Sequence, residues 1–280
     1  MVAMDPDVSD ALVDELMDVA RTVALESGAL IRAGRPAEVE VAATKSTAQD
    51  VVTAMDLAVE AHLRARLAEL RPDDGVLGEE GGSSAGTSGV TWVVDPVDGT
   101  VNYLYGLGSY SVSVAAVVGP PDPSTWTVLA ACVHAVDEER TYRAGRGRGA
   151  SLDGVPIHVG EASSLLDSLV GTGFGYRADR RRAQGRVLAA LLPQVRDIRR
   201  MGSAALDLCR VASGTLDLYY ERGLSPWDLA AGQLVAQEAG AQVSGLRGLP
   251  PGSEMTVAGH PRLHSELVAL LAGLDADTDA

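Results

Sequence analysis

Apolar side chains at Val8, Leu12, Leu16, Val19, Val23 and Ala24 recur at helical spacing, so residues 7–34 read as one amphipathic helix ending near Gly34-Arg35-Pro36. A second helix is predicted over Thr53–Leu70, stopped before Pro72. Strand patterns follow. Val90–Val94 is a β-rich run into Asp95-Pro96, and Ser109–Val118 alternates and then runs apolar to Gly119-Pro120. Thr127–Val136 and Glu139–Ala144 read as a hairpin around Asp137-Glu138. Gly145–Gly154 reads as a turn-rich connector and Gly81–Gly89 as a mobile surface loop. Further on, strands at Ser168–Thr172 and Asp217–Glu221 mix with helices at Arg181–Leu192, Ala204–Ser213, Trp227–Ala239 and His264–Leu274.

Antiparallel-looking strands followed by mixed elements predict an α+β layered fold rather than strict βαβ alternation. With 280 residues, 46% of them hydrophobic, the chain can bury a substantial core. We read residues 1–280 as one catalytic unit, with an N-terminal α+β part over 7–155 and a C-terminal α/β part over 160–274 completing the site. The formal net charge of -15 argues against a dominant phosphate-backbone-binding surface, so direct nucleic-acid binding is not expected. It still permits a small anionic substrate wherever backbone N–H groups or metal reverse the sign locally. Cys132 and Cys209 form no metal spacing and no disulfide framework, the first residues are acidic rather than leader-like, and no apolar run approaches a membrane span. A cytoplasmic protein is the expectation. Lys45 is the one lysine among 23 basic residues.

The strongest chemical signal is Trp92-Val93-Val94-Asp95-Pro96-Val97-Asp98-Gly99-Thr100. A strand ends at one carboxylate, turns through proline and offers a second carboxylate before Gly-Thr. Such a pair can share Mg²⁺, which takes oxygen ligands at about 2.0–2.1 Å. A helix starting at Gly99-Thr100 would aim its free N–H groups at the same point, a seat for phosphate. Alone, Asp-Gly-Thr is more often an ordinary turn. Three further acidic elements weaken that reading: Thr44-Lys45-Ser46 followed by Asp50 and Asp56; Val76-Leu77-Gly78-Glu79-Glu80; and Ser225-Pro226-Trp227-Asp228 opening a small-residue helix.

The combination G-E-E, D-P-x-D-G-T-x-N-[FY] and W-D-x-A-A-G resembles the inositol monophosphatase family and, among bacterial members, its SuhB-type enzymes. The segment from Lys45-Ser46 to Asp56, then Gly202-Ser203-Ala204-Ala205 and Tyr220-Glu221, extends the match over most of the chain. The resemblance implies a layered α/β/α/β/α sandwich, of the type shared with fructose-1,6-bisphosphatases. It implies a phosphomonoesterase acting on inositol 1-phosphate and related polyol phosphates, with two to three Mg²⁺ ions per site, lithium sensitivity and a homodimer. Glu79, Asp95 and the carbonyl of Val97 would hold a first ion; Asp95, Asp98 and Asp228 a second; a third, weaker one would sit near Glu79. Asp56, Thr100 and Glu79 would be the catalytic group, with Thr100 and Asp56 orienting and helping to deprotonate the attacking water. Asp98, Gly99, Thr100 and Asp228 would face the substrate, with Gly99 and Thr100 donating N–H groups to its phosphate. Glu221, with Gly202, Ser203 and Ala204, would meet the polyol hydroxyls, and Lys45 matches a family lysine near metal and phosphate.

Carboxylates crowded around one pocket repel each other without cations, which agrees with metal chemistry independently of the resemblance. The same motif serves fructose-1,6-bisphosphate, histidinol phosphate and 3'-phosphoadenosine 5'-phosphate phosphatases. Asn102-Tyr103 and the spacing of Glu221 from Asp228 favour the inositol subgroup. A non-catalytic, transcription-associated interaction role is the reading from another class.

Overall fold

The Ser9 side chain caps α1 (Asp10–Gly34) by accepting from the backbone N–H of Leu12, and the helix turns Leu16, Ala20, Val23, Ala24 and Ile31 into the core. The structure, a computed structural model, describes residues 8–36 and 38–279, so the expected helix start at residue 7 lies outside the described residues. A hairpin of β1 (Val41–Thr44) and β2 (Val51–Thr53) leads into α2 (Ala54–Leu70), where Thr53 and Asp56 close a reciprocal capping box. Next come β3 (Gly75–Gly78), β4 (Gly82–Ser84), β5 (Val90–Asp98) and the short α3 (Thr100–Tyr105). Strands β6 (Ser111–Val118), β7 (Thr127–Ala135), β8 (Arg140–Gly145), β9 (Gly149–Leu152) and β10 (Val155–Pro156) complete an eight-stranded sheet in the order β10-β9-β8-β7-β6-β5-β3-β4. It is antiparallel except where β3 runs alongside β5.

The second half contains β11 (Leu169–Thr172), α4 (Ala178–Leu191), β12 (Asp197–Arg199), α5 (Ala204–Ala212), β13 (Leu218–Glu221), α6 (Pro226–Glu238), β14 (Gln242–Ser244), β15 (Thr256–Gly259) and α7 (Pro261–Gly273). Its five strands pair in the order β12-β11-β13-β15-β14.

The apolar faces stack these elements into five layers. On one side of the large sheet, Leu16, Val23, Val59 and Leu63 of α1 and α2 meet Trp92, Val94 and Val112. On its other side Val93, Ala115 and Val133 meet Leu208, Leu229 and Val235 of α5 and α6, which also touch Tyr219 and Ala258 of the small sheet. Val187, Leu191, Leu263 and Leu267 of α4 and α7 cover the outer face of that sheet at Val170, Leu218 and Val257. The result is the expected α/β/α/β/α sandwich. Because both faces of β5 are covered, its sequence is an apolar run rather than an alternation. Helix α6 can lie between two sheets because its Ala-Ala-Gly is small: a Cβ on Gly232 would come within 2.8 Å of Leu208.

Three sequence expectations change. The supposed connector after Gly145 contains the strand β9, and the supposed loop after Gly81 contains β4, paired with β3. Strand β5 does not end at Val94 but continues through Pro96 to Asp98. The unexpected β1, β4 and β10 are short and exposed, so they bury no face and carry no period-two pattern.

Candidate active site

The continuation of β5 is what assembles the acids. Asp95 pairs with Ser113 and Asp98 with Ser111, so three steps along β5 match two along β6. In a regular strand, residues three apart point to opposite faces; the extra residue of this bulge turns Asp98 to the side of Asp95. Pro96, with no N–H to donate, is tolerated at such an irregularity. The turn is braced by the N–H of Val97, which donates to Asp95 Oδ1 at 3.0 Å.

Asp98 is also gripped from across the molecule. Its Oδ2 accepts from Ser203 Oγ at 2.5 Å and from the N–H of Ala205 at 2.8 Å, and its Oδ1 accepts from the N–H of Ala204 at 3.3 Å, all at the start of α5. Asp228, in the first turn of α6, accepts from the N–H of Ser225 at 2.7 Å. Oxygens of Asp95, Asp98 and Asp228 thereby lie within 4.8 Å of one another. Burial, then the charges of Glu79, Asp98 and Asp228, holds Asp95 well above the usual carboxylate range. Burial and the charges of Glu79 and Asp98 do the same to Asp228. Burial raises Asp98 too, against the bonds from Ser203, Ala205 and Ala204.

Glu79 stands beside this triad at the β3–β4 turn. Burial pushes it up to about 7, although the Lys45 ammonium pulls the other way. Lys45 donates to Glu79 Oε1 and Glu80 Oε1, each at 2.6 Å. Its own partial burial opposes the charged form, but the two carboxylates outweigh this and raise the ammonium. The hydroxyl of Thr100 lies 3.0 Å from Asp56 Oδ1 and 3.1 Å from the Val97 carbonyl, with one proton to donate. Asp56 is buried, which raises it, while Thr53 donates to its other oxygen from both backbone and side chain. Gly99 precedes α3 with φ 100°, in the left-handed region. A Cβ there would also press on the carbonyls of Ser109 and Gly202, at 3.0 and 3.1 Å.

These groups surround a cavity of about 460 Å³ whose walls include Lys45, Glu79, Asp95, Val97, Asp98, Gly99, Thr100, Gly202, Ala204, Glu221 and Asp228. Asp56 stands behind Thr100, and Ser203 behind Asp98, its hydroxyl committed to that carboxylate. Glu221 does not pair with its neighbour Arg222; it accepts from the Tyr219 hydroxyl at 2.6 Å. Burial pushes Glu221 up to about 7, with the Tyr219 bond and the charge of Arg200 opposing. Gly173 makes room for it, since a Cβ there would sit 2.0 Å from the carboxylate oxygens.

Sequence reasoning missed Glu60. From α2 it accepts the N–H of Glu80 at 2.6 Å and of Gly81 at 2.7 Å, fixing the turn that presents Glu79. The available signal was its position four residues after Asp56 on the stripe that carries Val59, Leu63 and Leu67. Also missed were Arg177, Arg180, Arg200 and Arg222, which line the same cavity.

A layered fold that gathers buried carboxylates beside helix N-termini, in a cavity with a cationic rim, defines a site for hydrolysis of a small anionic ester. The chain belongs to the inositol monophosphatase family, which matches residues 12–274, and is a phosphatase. An inositol-1-monophosphatase of Mycobacterium leprae is 44% identical, over 92% of this chain and 94% of its own length. The solved structure of Mycobacterium tuberculosis SuhB, 43% identical, superposes with a TM-score of 0.79 over 95% of this chain and 98% of that one. A Pseudomonas aeruginosa protein named Nus factor SuhB is 35% identical, over 83% of this chain and 86% of its own length. No helix among the described residues is long and apolar enough to cross a membrane.

Proposed function

We propose that this phosphatase hydrolyses inositol 1-phosphate and related polyol phosphates, with Mg²⁺ held by Glu79, Asp95, the Val97 carbonyl, Asp98 and Asp228. The observation that carries the reading is the convergence of Asp95, Asp98 and Asp228 within 4.8 Å, beside the Thr100–Asp56 pair. An all-oxygen donor set suits a hard cation, and carboxylates held above their ordinary range by burial and by one another favour one. Bound there, Mg²⁺ would lower the pKa of water and neutralise charge on the phosphate.

The remaining roles belong to the chain. The first-turn N–H groups of α3 lack intrahelical acceptors, and we assign those around Gly99 and Thr100 to the substrate phosphate. Thr100 Oγ1 passes its proton toward Asp56 Oδ1 as it accepts one from the attacking water. Glu221 and the backbone at Gly202 and Ala204 meet the polyol, while Ser203 serves by fixing Asp98. Glu79 acts through its place beside Asp95, and Lys45 keeps the acidic turn in register when no ion is bound.

Phosphate release from a panel of sugar, polyol and nucleotide phosphates tests the proposal and separates the sister activities. Chelation should abolish release, Mg²⁺ restore it and millimolar Li⁺ lower it; full activity in excess chelator would overturn the mechanism. Glu221→Gln should lower kcat/KM for inositol 1-phosphate about 10- to 100-fold, because charge-assisted bonds to ring hydroxyls contribute about 1.5–3 kcal/mol each. It should largely spare 2-glycerophosphate, which has no ring to hold. Equal losses on both would make Glu221 a support of the metal site.

A homodimer is part of the same proposal. Tyr105, 75% exposed, lines a groove with Val101, Leu104, Phe174 and Leu188, and Leu107, two residues along the chain, is 57% exposed. Sedimentation showing only the 29.0 kDa monomer at micromolar concentration would remove it. The Nus factor name of one relative supports a second, transcription-associated reading. The net charge of -15 makes direct RNA contact its weakest form, and RNA gel shifts at physiological salt check it.

A further inference from the structure

In a chain of net charge -15, the active-site cavity nevertheless has Arg177, Arg180, Arg200 and Arg222 among its walls. Arg177 is committed to Asp179 in an exposed pair. Arg180, from α4, and Arg222, just after β13, converge instead on one acceptor. Asp279 Oδ1 accepts from Arg180 Nε at 3.3 Å and from Arg222 Nη1. Arg222 is 8% exposed and its buried Nε has no hydrogen-bond partner. The next carboxylate, Glu254, is exposed and stands 4.0 Å away. Among the described residues, Asp279 is the one carboxylate that hydrogen-bonds both guanidinium groups, while the charge of Asp277 also reaches Arg222.

Both arginines are also walls of the cavity. Arg180 crosses Gly175 and Gly223, both cavity walls: a Cβ on either would come within 2.7 Å of its side chain, at Cδ over Gly175 and at Nη1 over Gly223. Gly223 is two residues from Glu221, the proposed polyol contact. Asp279 itself is not a wall of the cavity and reaches the pair from behind. The segment after α7 that carries it is tied down by Arg247, which pairs with Asp275 and Asp277. Asp279 is thus presented at high effective concentration, yet its side chain remains 28% exposed and replaceable.

We propose that Arg180 and Arg222 form a subsite for a second anionic group, phosphate or carboxylate, at the non-reacting end of the substrate, and that Asp279 occupies it as an internal competitor. The inference rests on the phosphatase reading of the cavity. A planar guanidinium pair suits either oxyanion, and a ligand group entering from the cavity side must displace or share with Asp279. Asp279 therefore sets preference: it holds the subsite closed to esters bearing a second anionic group and leaves phosphates of uncharged polyols untouched.

Three substrates matched except at one carbon test this: glucose 1-phosphate, glucose 1,6-bisphosphate and glucuronic acid 1-phosphate. Asp279→Asn should raise kcat/KM about tenfold on the two esters with a second anionic group, mainly through KM, and leave glucose 1-phosphate within about twofold. A gain on the bisphosphate alone identifies a phosphate subsite, and a gain on the glucuronate alone a carboxylate subsite. Asp279→Glu should restore the original ratio, and adding Arg180→Gln to Asp279→Asn should erase the gain. Equal changes on all three substrates, no change, or a gain that survives Arg180→Gln would overturn the proposal. Calorimetric Kd values for glucose 1,6-bisphosphate, before and after Asp279→Asn, read the subsite without turnover. Failure of the unmodified protein to release phosphate from any ester counts against the substrate reading alone.

Discussion

Asp95→Asn is expected to remove nearly all phosphate release, by a factor of about 10³ or more, while raising the melting temperature of the metal-free protein by a few degrees. The loss follows if cation-assisted charge stabilisation is worth several kcal/mol at the transition state. The gain follows from burial. Asp95 is 1% exposed and faces the charges of Glu79, Asp98 and Asp228, so its ionised form opposes folding when no cation is present. Asparagine keeps the shape and an acceptor for the Val97 N–H but carries no charge. Mg²⁺ should therefore stabilise the unmodified protein and do little for the variant. The same physics sets the pH dependence in chelator. Glu79 and Glu221 have folded values raised to about 7, against an ordinary value of 4.5. Their contribution to stability is complete below about pH 4.5 and is lost as pH rises through 7. Thermal melts from pH 5 to 8, with chelator and with Mg²⁺, read both effects. A variant that melts lower than the parent in chelator, or that still turns over, would sink this account.

What the sequence disclosed and what it hid divide along a physical line. Helices α1 and α2 were legible because their own caps and apolar stripes specify them. The acids Asp95, Asp98 and Asp228 were legible as motif residues, each at an element end. Their convergence was implied by the family resemblance and not by the spacing itself, because it depends on a one-residue bulge visible only once β5 is registered against β6. Ser203 shows the same limit. Its motif placed it near the substrate, but the pairing that turns its hydroxyl onto Asp98 spans 105 residues. Glu60 was hidden because a glutamate within a helical stripe gives no sign that its buried carboxylate serves backbone N–H groups on another element. The arginine rim was hidden for the opposite reason. Arginines are scattered throughout this chain, and only the fold distinguishes the few that line the cavity.

Thr100→Ala should lower kcat about 100-fold while changing KM less than about threefold, because general-base assistance acts in the transition state rather than in binding. The geometry is specific to the hydroxyl: it lies 3.0 Å from Asp56 Oδ1 and 3.1 Å from the Val97 carbonyl, and can donate to only one at a time. Either choice leaves lone pairs free to accept from a water in the cavity. Asp56 is suited to receive the relayed proton because burial raises its carboxyl, while the Thr53 bonds keep the ionised form accessible. Thr100→Ser, which keeps the oxygen, should remain within about threefold of the parent. Asp56→Asn should lose as much in kcat as Thr100→Ala, and the double variant should lose little more, since the two residues act as one unit. The capping box at α2 complicates Asp56 alone, because altering it can also cost about 1 kcal/mol of stability. Melting curves with Mg²⁺ separate that cost from the kinetic one. A Thr100→Ala effect confined to KM would make the residue a phosphate binder. Additive losses in the double variant would show that Asp56 serves the helix cap rather than the proton.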